Sequence, residues 1–501
     1  MSFPWAQALL ALYYLVLGVL AFFGVHRLYL VGLYLRTRDR QASSPALPAD
    51  PADWPVVTVQ LPLYNEMYVA ERLIEAVSRL DWPRERLEIQ VLDDSTDETA
   101  AIAARAVAAA RERGVDIHHL HRANRQGFKA GALAAGLERA RGELIAVFDA
   151  DFVPAPDFLR RSVPHFADPA IGMVQGRWDH LNRGYSLLTR VEAILLDGHF
   201  LIEHAARNRA GCFFNFNGTA GIWRRQAIEA SGGWEHDTLT EDLDLSYRAQ
   251  LDGWRFLFLP DLLVPSELPV DVNGFKSQQY RWAKGSVQTG RKLLGRVLRA
   301  PLSPRVKFEA LVHLTNNACY PLMVLLSLLV FPAMLLREGS PATLLLLIDL
   351  PLFLAATLSV LTFYLVSQIA AGPGWGRQVR YLPALLGVGI GLSVNNARAV
   401  LSGLFQDGGT FHRTPKYRIE RQGEAWLGKR YRAGADTSLL VELALALYFA
   451  VCTAYAAREG LWMSIPFLYL FVQGYAYMSL LSLQPLLTGW RSRIHTAEAG
   501  R

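Results

Sequence analysis

The chain has 501 residues, 51% of them hydrophobic and only 19% charged, a balance too apolar for an ordinary soluble enzyme of this size. Its net charge of +6 comes from basic residues clustered beside apolar runs, with no nucleic-acid module in view; this excludes nucleic acid as a partner and points to a lipid bilayer. Three scattered cysteines, Cys212, Cys319 and Cys452, offer neither a disulfide framework nor zinc-ligand spacing.

Residues 6–35 are apolar apart from His26 and Arg27, and Arg36, Arg38 and Arg40 follow them. No basic segment precedes the run, and it is long for a secretory signal core. Residues 1–40 therefore read as an anchor with its N-terminus outside and the next domain in the cytosol.

Charge returns between 50 and 305, where strand-like and helix-like stretches alternate. Strands are expected at 55–61, 87–92, 115–120 and 144–148, with helices at 66–80, 97–113 and 127–141. The alternation predicts an α/β domain built on a parallel, Rossmann-like sheet. Ligands bind such sheets beyond the C-terminal ends of the strands. Polar residues stand there: Asn65-Glu66 after the first strand, Asp93-Asp94-Ser95 after the second, Asp149-Ala150-Asp151 after the fourth. No Gly-x-Gly-x-x-Gly follows the first strand, which disfavours a dinucleotide cofactor. An interfacial helix at 275–299 ends the domain.

The remainder, 306–490, reads as a membrane bundle with spans at 311–336, 344–371, 438–457 and 461–487. Residues 337–341 suit an outer hairpin. The run 381–394 is too short to cross before Asn395, Asn396 and Arg398, so 381–405 reads as an interfacial segment. The loop 406–436 carries Arg413, Lys416, Arg418, Arg421, Lys429, Arg430 and Arg432 and belongs in the cytosol. An even number of crossings must then separate it from the polar domain. Five spans result, with the C-terminus inside, as Arg491, Arg493 and His495 agree. Asn316, Asn317, Gln368 and Gln473 would be costly facing lipid and should face an interior path or neighbouring helices.

Asp149 and Asp151 can present oxygens to a hard divalent cation, Mg2+ or Mn2+, whose shell a nucleotide diphosphate completes; a solvated turn is the plain alternative. Asp93 and Asp94 suit a nucleobase or ribose, while Ser95 or Thr96 caps the next helix. Arg125 and Lys129 can contact the donor, and Glu66 shares that edge. His118, His119 and His121 point different ways on a strand, which argues against a three-histidine metal site. Displacing a nucleoside diphosphate by an acceptor hydroxyl needs a carboxylate to take the proton. Asp242 in Thr240-Glu241-Asp242 is the first choice and Glu241 the second, although a helix start explains both acids structurally. Gln278, Arg281 and Trp282 fall on one helix face. They combine an amide, a guanidinium suited to diphosphate and a flat ring that can stack on a sugar. An amphipathic helix with Trp282 at the membrane interface accounts for the same pattern, and Lys284, Arg291, Lys292 and Arg296 support it.

In this order the four motifs resemble the processive family 2 glycosyltransferases, which include cellulose, hyaluronan and chitin synthases and the cellulose synthase-like mannan and glucan synthases. The resemblance covers about 56–416. It implies a GT-A fold, a divalent metal and inverting transfer of a hexose to a growing β-glycan, with export through the membrane domain; a non-processive enzyme making a glycolipid is the alternative. By that resemblance Asp93, Asp94, Glu66, Lys129, Asp149, Gln278, Arg281, Thr414 and Lys416 would bind the donor. Asp151 with Asp149 would hold the metal, Asp242 would be the base, and Trp282 would take the acceptor. Phe216-Asn217-Gly218-Thr219 matches the family's acceptor-site segment. Phe411-His412-Arg413-Thr414-Pro415-Lys416 is similar to its gating loop, except that cellulose synthases carry valine where Arg413 stands. UDP-glucose is the favoured donor, GDP-mannose the next, and a bacterial inner or plasma membrane the expected location. No regulatory cyclic-dinucleotide domain is expected in the tail of about a dozen residues after the last span.

Overall fold

The structure, a computed structural model, describes residues 4–40, 45–337, 347–348, 350–411, 413–432 and 437–498. His412 of the gating-like loop and positions 338–341 of the expected hairpin lie outside these residues.

Seven strands form one sheet in the order β3-β2-β1-β4-β6-β5-β7. They are β1 Val57–Leu63, β2 Leu87–Asp93, β3 Ile117–His121, β4 Leu144–Val147, β5 Ile171–His180, β6 Gly221–Arg224 and β7 Arg255–Ser266. Helices α2 (Ala70–Val77), α3 (Thr99–Glu112) and α4 (Phe128–Arg139) follow β1, β2 and β3, after α1 (Pro4–Thr37) at the start of the chain. The stripe Ala103, Val107 and Ala110 buries α3 at helical spacing. Because β1 is covered on both faces, its polar residues pair sideways. Thr58 Oγ1 donates to Glu88 Oε2 at 2.6 Å, and Gln60 Nε2 donates to Gln90 Oε1 at 3.1 Å, as the Thr58–Glu88 and Gln60–Gln90 register requires. The first helix begins at Ala70 rather than 66 because the chain turns at Asn65, whose φ is 55°.

The sheet is mixed, not parallel throughout. β6 runs antiparallel to both β4 and β5. The turn before it sits at the C-terminal end of β4, where Ala220 N donates to Val147 O at 2.9 Å. From there the chain can only run back along β4, and no crossover intervenes to reverse it.

Between β5 and β6, helix α5 (Leu187–Asp197) continues through a π-helical turn, Gly198–His204, into Ala205–Arg209. Helix α6 (Glu241–Leu251) carries Glu241 and Asp242 in its first turn. Helix α7 (Val272–Arg299) is capped by Asp271, which accepts from Asn273 N and Gly274 N at 3.2 Å each.

Among the described residues five helices are long and apolar enough to cross a membrane: α1, then Pro304–Leu336, Leu350–Ala371, Leu439–Arg458 and Ile465–Gln484. The pair Leu382–Gly391 and Ser393–Phe405 is bent by 44°. Two buried ionic clusters tie bundle to sheet domain. Lys276 Nζ on α7 donates to Glu442 Oε2 at 2.6 Å and to Ser482 Oγ at 2.9 Å. Glu309 lies 2.9 Å from His26 Nε2 and 3.3 Å from Arg207 Nε. Gln368 is buried and donates to Asp197 Oδ2 at 3.1 Å, so this polar group of the bundle is satisfied by the sheet domain.

Candidate active site

A cleft lies beyond the C-terminal ends of β1 and β4, closed on the far side by α6, α7 and the 411–416 loop. Its sheet side is a lattice of opposite charges. Lys129 Nζ stands 2.5 Å from Asp149 Oδ1 and donates to Gly218 O at 2.9 Å. Lys416 Nζ donates to Asp151 Oδ2 at 2.7 Å and to Glu267 O at 2.8 Å. Arg122 forks onto Asp94, Nε to Oδ1 at 2.7 Å and Nη2 to Oδ2 at 2.5 Å. Arg413 Nη1 is 3.1 Å from Glu66 Oε2, with its guanidinium 3.9 Å over the Tyr431 ring. The residue that departs from the cellulose synthase pattern thus has an acidic partner in this chain. Burial pulls Lys129 and Lys416 down, but the neighbouring carboxylates outweigh it and hold both ammonium groups above their usual range. Burial pushes the Glu66 carboxyl up to about 8 against the pull of Arg413.

Aromatic rings fix the cations. Arg281 lies 4.4 Å over Phe411, which stacks on Phe128, and Arg125 lies 3.4 Å over Tyr64. Glu267 clamps the loop by accepting from Tyr417 N and Arg418 N at 2.8 Å each.

The α6 side holds the candidate base. Asp242 Oδ1 accepts from its own neighbour, Leu243 N, at 2.8 Å. Its other oxygen presses on Gly218, where an added Cβ would lie 2.9 Å from Asp242 Oδ2 and 3.3 Å from Lys129 Nζ. Gly218 also has a φ of 80°, so glycine is required twice over. Burial and the adjacent Glu241 push Asp242 up to about 7, and burial raises Glu241 as well. A carboxyl near 7 can exchange protons at neutral pH. Gly285 of α7 sits against Thr240 with no room for a Cβ, which brings α7 onto the motif.

Gln278, Arg281 and Trp282 all line the cleft, as does Asn217 with Gly218. A second cavity shares Trp178, Asp242 and Trp282 with the first and continues between helices to Asn316, Asn317, Tyr320 and Asn396. Asn217 N donates to Gln175 Oε1 at 3.0 Å, and Asn217 Nδ2 donates to His199 Nε2 at 2.9 Å. His199 comes from the π-helical turn, with Glu203 Oε2 3.3 Å from its Nδ1.

Two expected site residues lie behind the cleft. Asp93 is fully buried; it accepts from Ser95 N at 2.9 Å, and His119 and His121 lie 2.9 Å and 3.3 Å from its Oδ2. These two histidines share one face of β3, while His118 turns to Asp116. Thr219 is also fully buried, and its Oγ1 accepts from Asp149 N at 2.9 Å, which orients the acid rather than a ligand. Trp178, Glu192 and Glu267 line the cleft without having been singled out from sequence. They sit in a strand, in an amphipathic helix and past a strand end, with no local motif to mark them.

Residues 55–285 match the family described as glycosyltransferase like family 2. Glucomannan 4-beta-mannosyltransferase 7 of Arabidopsis thaliana is 40% identical over 304 residues, 58% of this chain and 55% of that protein. Glucomannan 4-beta-mannosyltransferase 2 of the same plant is 45% identical over 268 residues, 52% of this chain and 49% of that one. The chain thus spans about half the length of these curated relatives. Among solved structures, the mannosyltransferase PcManGT from Pyrobaculum calidifontis, in complex with GDP-Man and Mn2+, is similar at a TM-score of 0.52 and 22% identity over 79% of this chain and 99% of that chain. The likeness is one of fold: a GT-A-like domain on a mixed seven-stranded sheet.

Proposed function

Residues 55–285 form a glycosyltransferase family 2 domain, and from that premise we propose that the chain transfers a hexose, with inversion, from a nucleotide sugar to a growing β-glycan. The observation that carries the reading is one cleft lined together by Asp149, Asp151, Lys129, Arg281, Asp242 and Trp282. The acceptor hydroxyl gives its proton to Asp242 as its oxygen bonds to the anomeric carbon, and the nucleoside diphosphate leaves on the opposite face. Lys129 and Arg281 meet the negative charge of the leaving group. Asp149 and Asp151 fit a divalent cation: both line the cleft, offer oxygen donors only, and have lysines whose charge the ion can replace. Such an ion, when bound, would neutralise the diphosphate. Gln278 and Thr414 remain proposed donor contacts, with Oε1 and Oγ1 buried and unpartnered among the described residues. Asp93 would act through the β2–β3 edge, and Asp94 and Glu66 directly from the cleft.

For the donor, GDP-mannose takes precedence over UDP-glucose, which the resemblance favoured. The relatives are named as mannosyltransferases, and PcManGT was solved with GDP-Man. The glucan reading and export through the bundle rest on the resemblance alone. The domain is proposed to lie on the cytosolic face of a membrane crossed by the five apolar helices; plant relatives lend no support to a bacterial one. The test is incorporation of label from GDP-mannose, UDP-glucose and GDP-glucose by the membrane-embedded protein, with and without Mg2+ or Mn2+. Polymer from GDP-mannose that vanishes with chelator is expected. No incorporation from any donor would sink the reading, and a single-sugar lipid product would replace it with the glycolipid alternative.

A further inference from the structure

Where the two cavities meet, three polar atoms are buried without a hydrogen-bond partner among the described residues: Trp178 Nε1, Glu192 Oε2 and Asn217 Oδ1. All three side chains line both cavities, as do Asp242 and Trp282. They come from β5, α5 and the turn before β6, so no single local element explains them. Trp178 and Trp282 have ring centroids 6.4 Å apart and face the same space.

Glu192 is the most telling of the set. It is 2% exposed on an otherwise apolar stretch of α5, flanked by buried Val191, Ala193 and Ile194. Burial raises its carboxyl well above the ordinary range, with only Lys416 opposing. A neutral carboxyl offers one donor and one acceptor, the combination a sugar hydroxyl complements. Packing alone is served better there by leucine or methionine. The helix that aims it is packed closely at its end, since a Cβ added at Gly198, the residue after it, would lie 2.7 Å from the rings of Phe363 and Tyr364.

We propose that Glu192 is a positioning and specificity residue for the acceptor: with Trp178 Nε1 and Asn217 Oδ1 it hydrogen-bonds the sugar lying against Trp282, and so selects which hydroxyl reaches Asp242. The assignment rests on the glycan-transfer reading above. It uses atoms with no other partner, and it separates the acceptor from the charged groups that serve the donor. A site built to bond a hydroxyl discriminates strongly against an analogue lacking it, because its own buried groups are then left unpaired.

The experiment compares wild type, E192Q and E192M in membranes, with GDP-mannose as donor and a β-linked manno-oligosaccharide as acceptor. E192Q keeps a donor and an acceptor and should stay within about threefold of wild type; E192M should raise the acceptor KM about tenfold, as loss of a neutral hydrogen bond implies. The donor KM should be unchanged in both. An acceptor KM in E192M equal to wild type overturns the assignment, as does a loss in E192Q matching that in E192M. A parallel rise in donor KM also overturns it, by showing a merely structural role. Wild-type protein that transfers to no acceptor defeats the glycan-transfer reading itself, a result distinguishable from all three.

Discussion

The two walls of the cleft are prepared for their ligands in opposite ways. On the proposed donor wall three acids are ion-paired, Asp149 with Lys129, Asp151 with Lys416 and Asp94 with Arg122, and Glu66, pushed up to about 8 by burial, lies beside Arg413. On the acceptor wall the polar groups of Trp178, Glu192 and Asn217 are neutral or unpartnered and lie among rings. In the proposed reaction a diphosphate with its cation would enter the first wall by exchange, each ammonium it engages freeing a carboxylate that could hold the metal. Net charge changes little, so buried charges are never left uncompensated. A sugar enters the second wall by satisfying what is unsatisfied. Donor affinity should therefore respond to charge and salt, and acceptor affinity to hydrogen-bond geometry.

The largest expected effect is at the boundary between the walls. Asp242→Asn removes the proposed base and should lower kcat by about 10³-fold, with donor KM within about twofold of wild type. An equal loss of donor affinity would place Asp242 on the donor wall and break the comparison. Gly218→Ala should be nearly as severe, because the new Cβ meets Asp242 and Lys129 together. Next comes Lys416→Met, which leaves Asp151 without its counter-ion. Donor KM should rise about tenfold, as for loss of a charge-assisted hydrogen bond, while acceptor KM stays fixed. Trp282→Ala is the mirror experiment: acceptor KM should rise about three- to tenfold for a lost aromatic contact, with donor KM untouched. In these last two, steady-state kinetics that moved both constants together would dissolve the distinction between walls.

The pH dependence sharpens the same boundary. Burial and the neighbouring Glu241 push Asp242 up to about 7, and only its ionised form accepts a proton. kcat/KM should therefore fall about tenfold per unit below that midpoint and level off above it. A flat profile from pH 5 to 8 would remove Asp242 from the chemistry.

Much of this was legible in the sequence, for a physical reason. Acids placed directly after apolar strands stand at the ligand edge of any open sheet, so Asp149, Asp151, Asp94 and Glu66 could be located without coordinates. Helical spacing put Gln278, Arg281 and Trp282 on one face, and they line one cleft. The direction of β6 was not legible, because a four-residue strand carries no signal of where the preceding turn docks. Asp93 reads like Asp94 in sequence, yet its side chain turns under β3 to His119 and His121. Glu192 is one acid on an amphipathic helix, and nothing in its neighbours says that it lines the same cavities as a tryptophan from β5. Long-range contacts of that kind have no local signature.

The smallest expected effect concerns Arg413, which stands where cellulose synthases carry valine. An ionised, buried pair loses several kcal/mol, about 3–5, when one partner is removed. Glu66 is pushed up to about 8 with Arg413 present, so at pH 6 it is mostly protonated, and removing Arg413 raises it further. The neutral acid needs no counter-ion. Arg413→Val at pH 6 should therefore change donor KM by no more than about threefold and leave the thermal midpoint within a few degrees. Above pH 8 the sign of the linkage turns against the variant. Wild-type Glu66 ionises beside Arg413, whereas in the variant its proton must be removed without a partner or retained. The gap in donor KM between the two proteins should then widen with pH. A large loss already at pH 6 would mean that Glu66 is ionised in the resting cleft, and that the proposed donor wall is held by four ion pairs rather than three and a neutral acid.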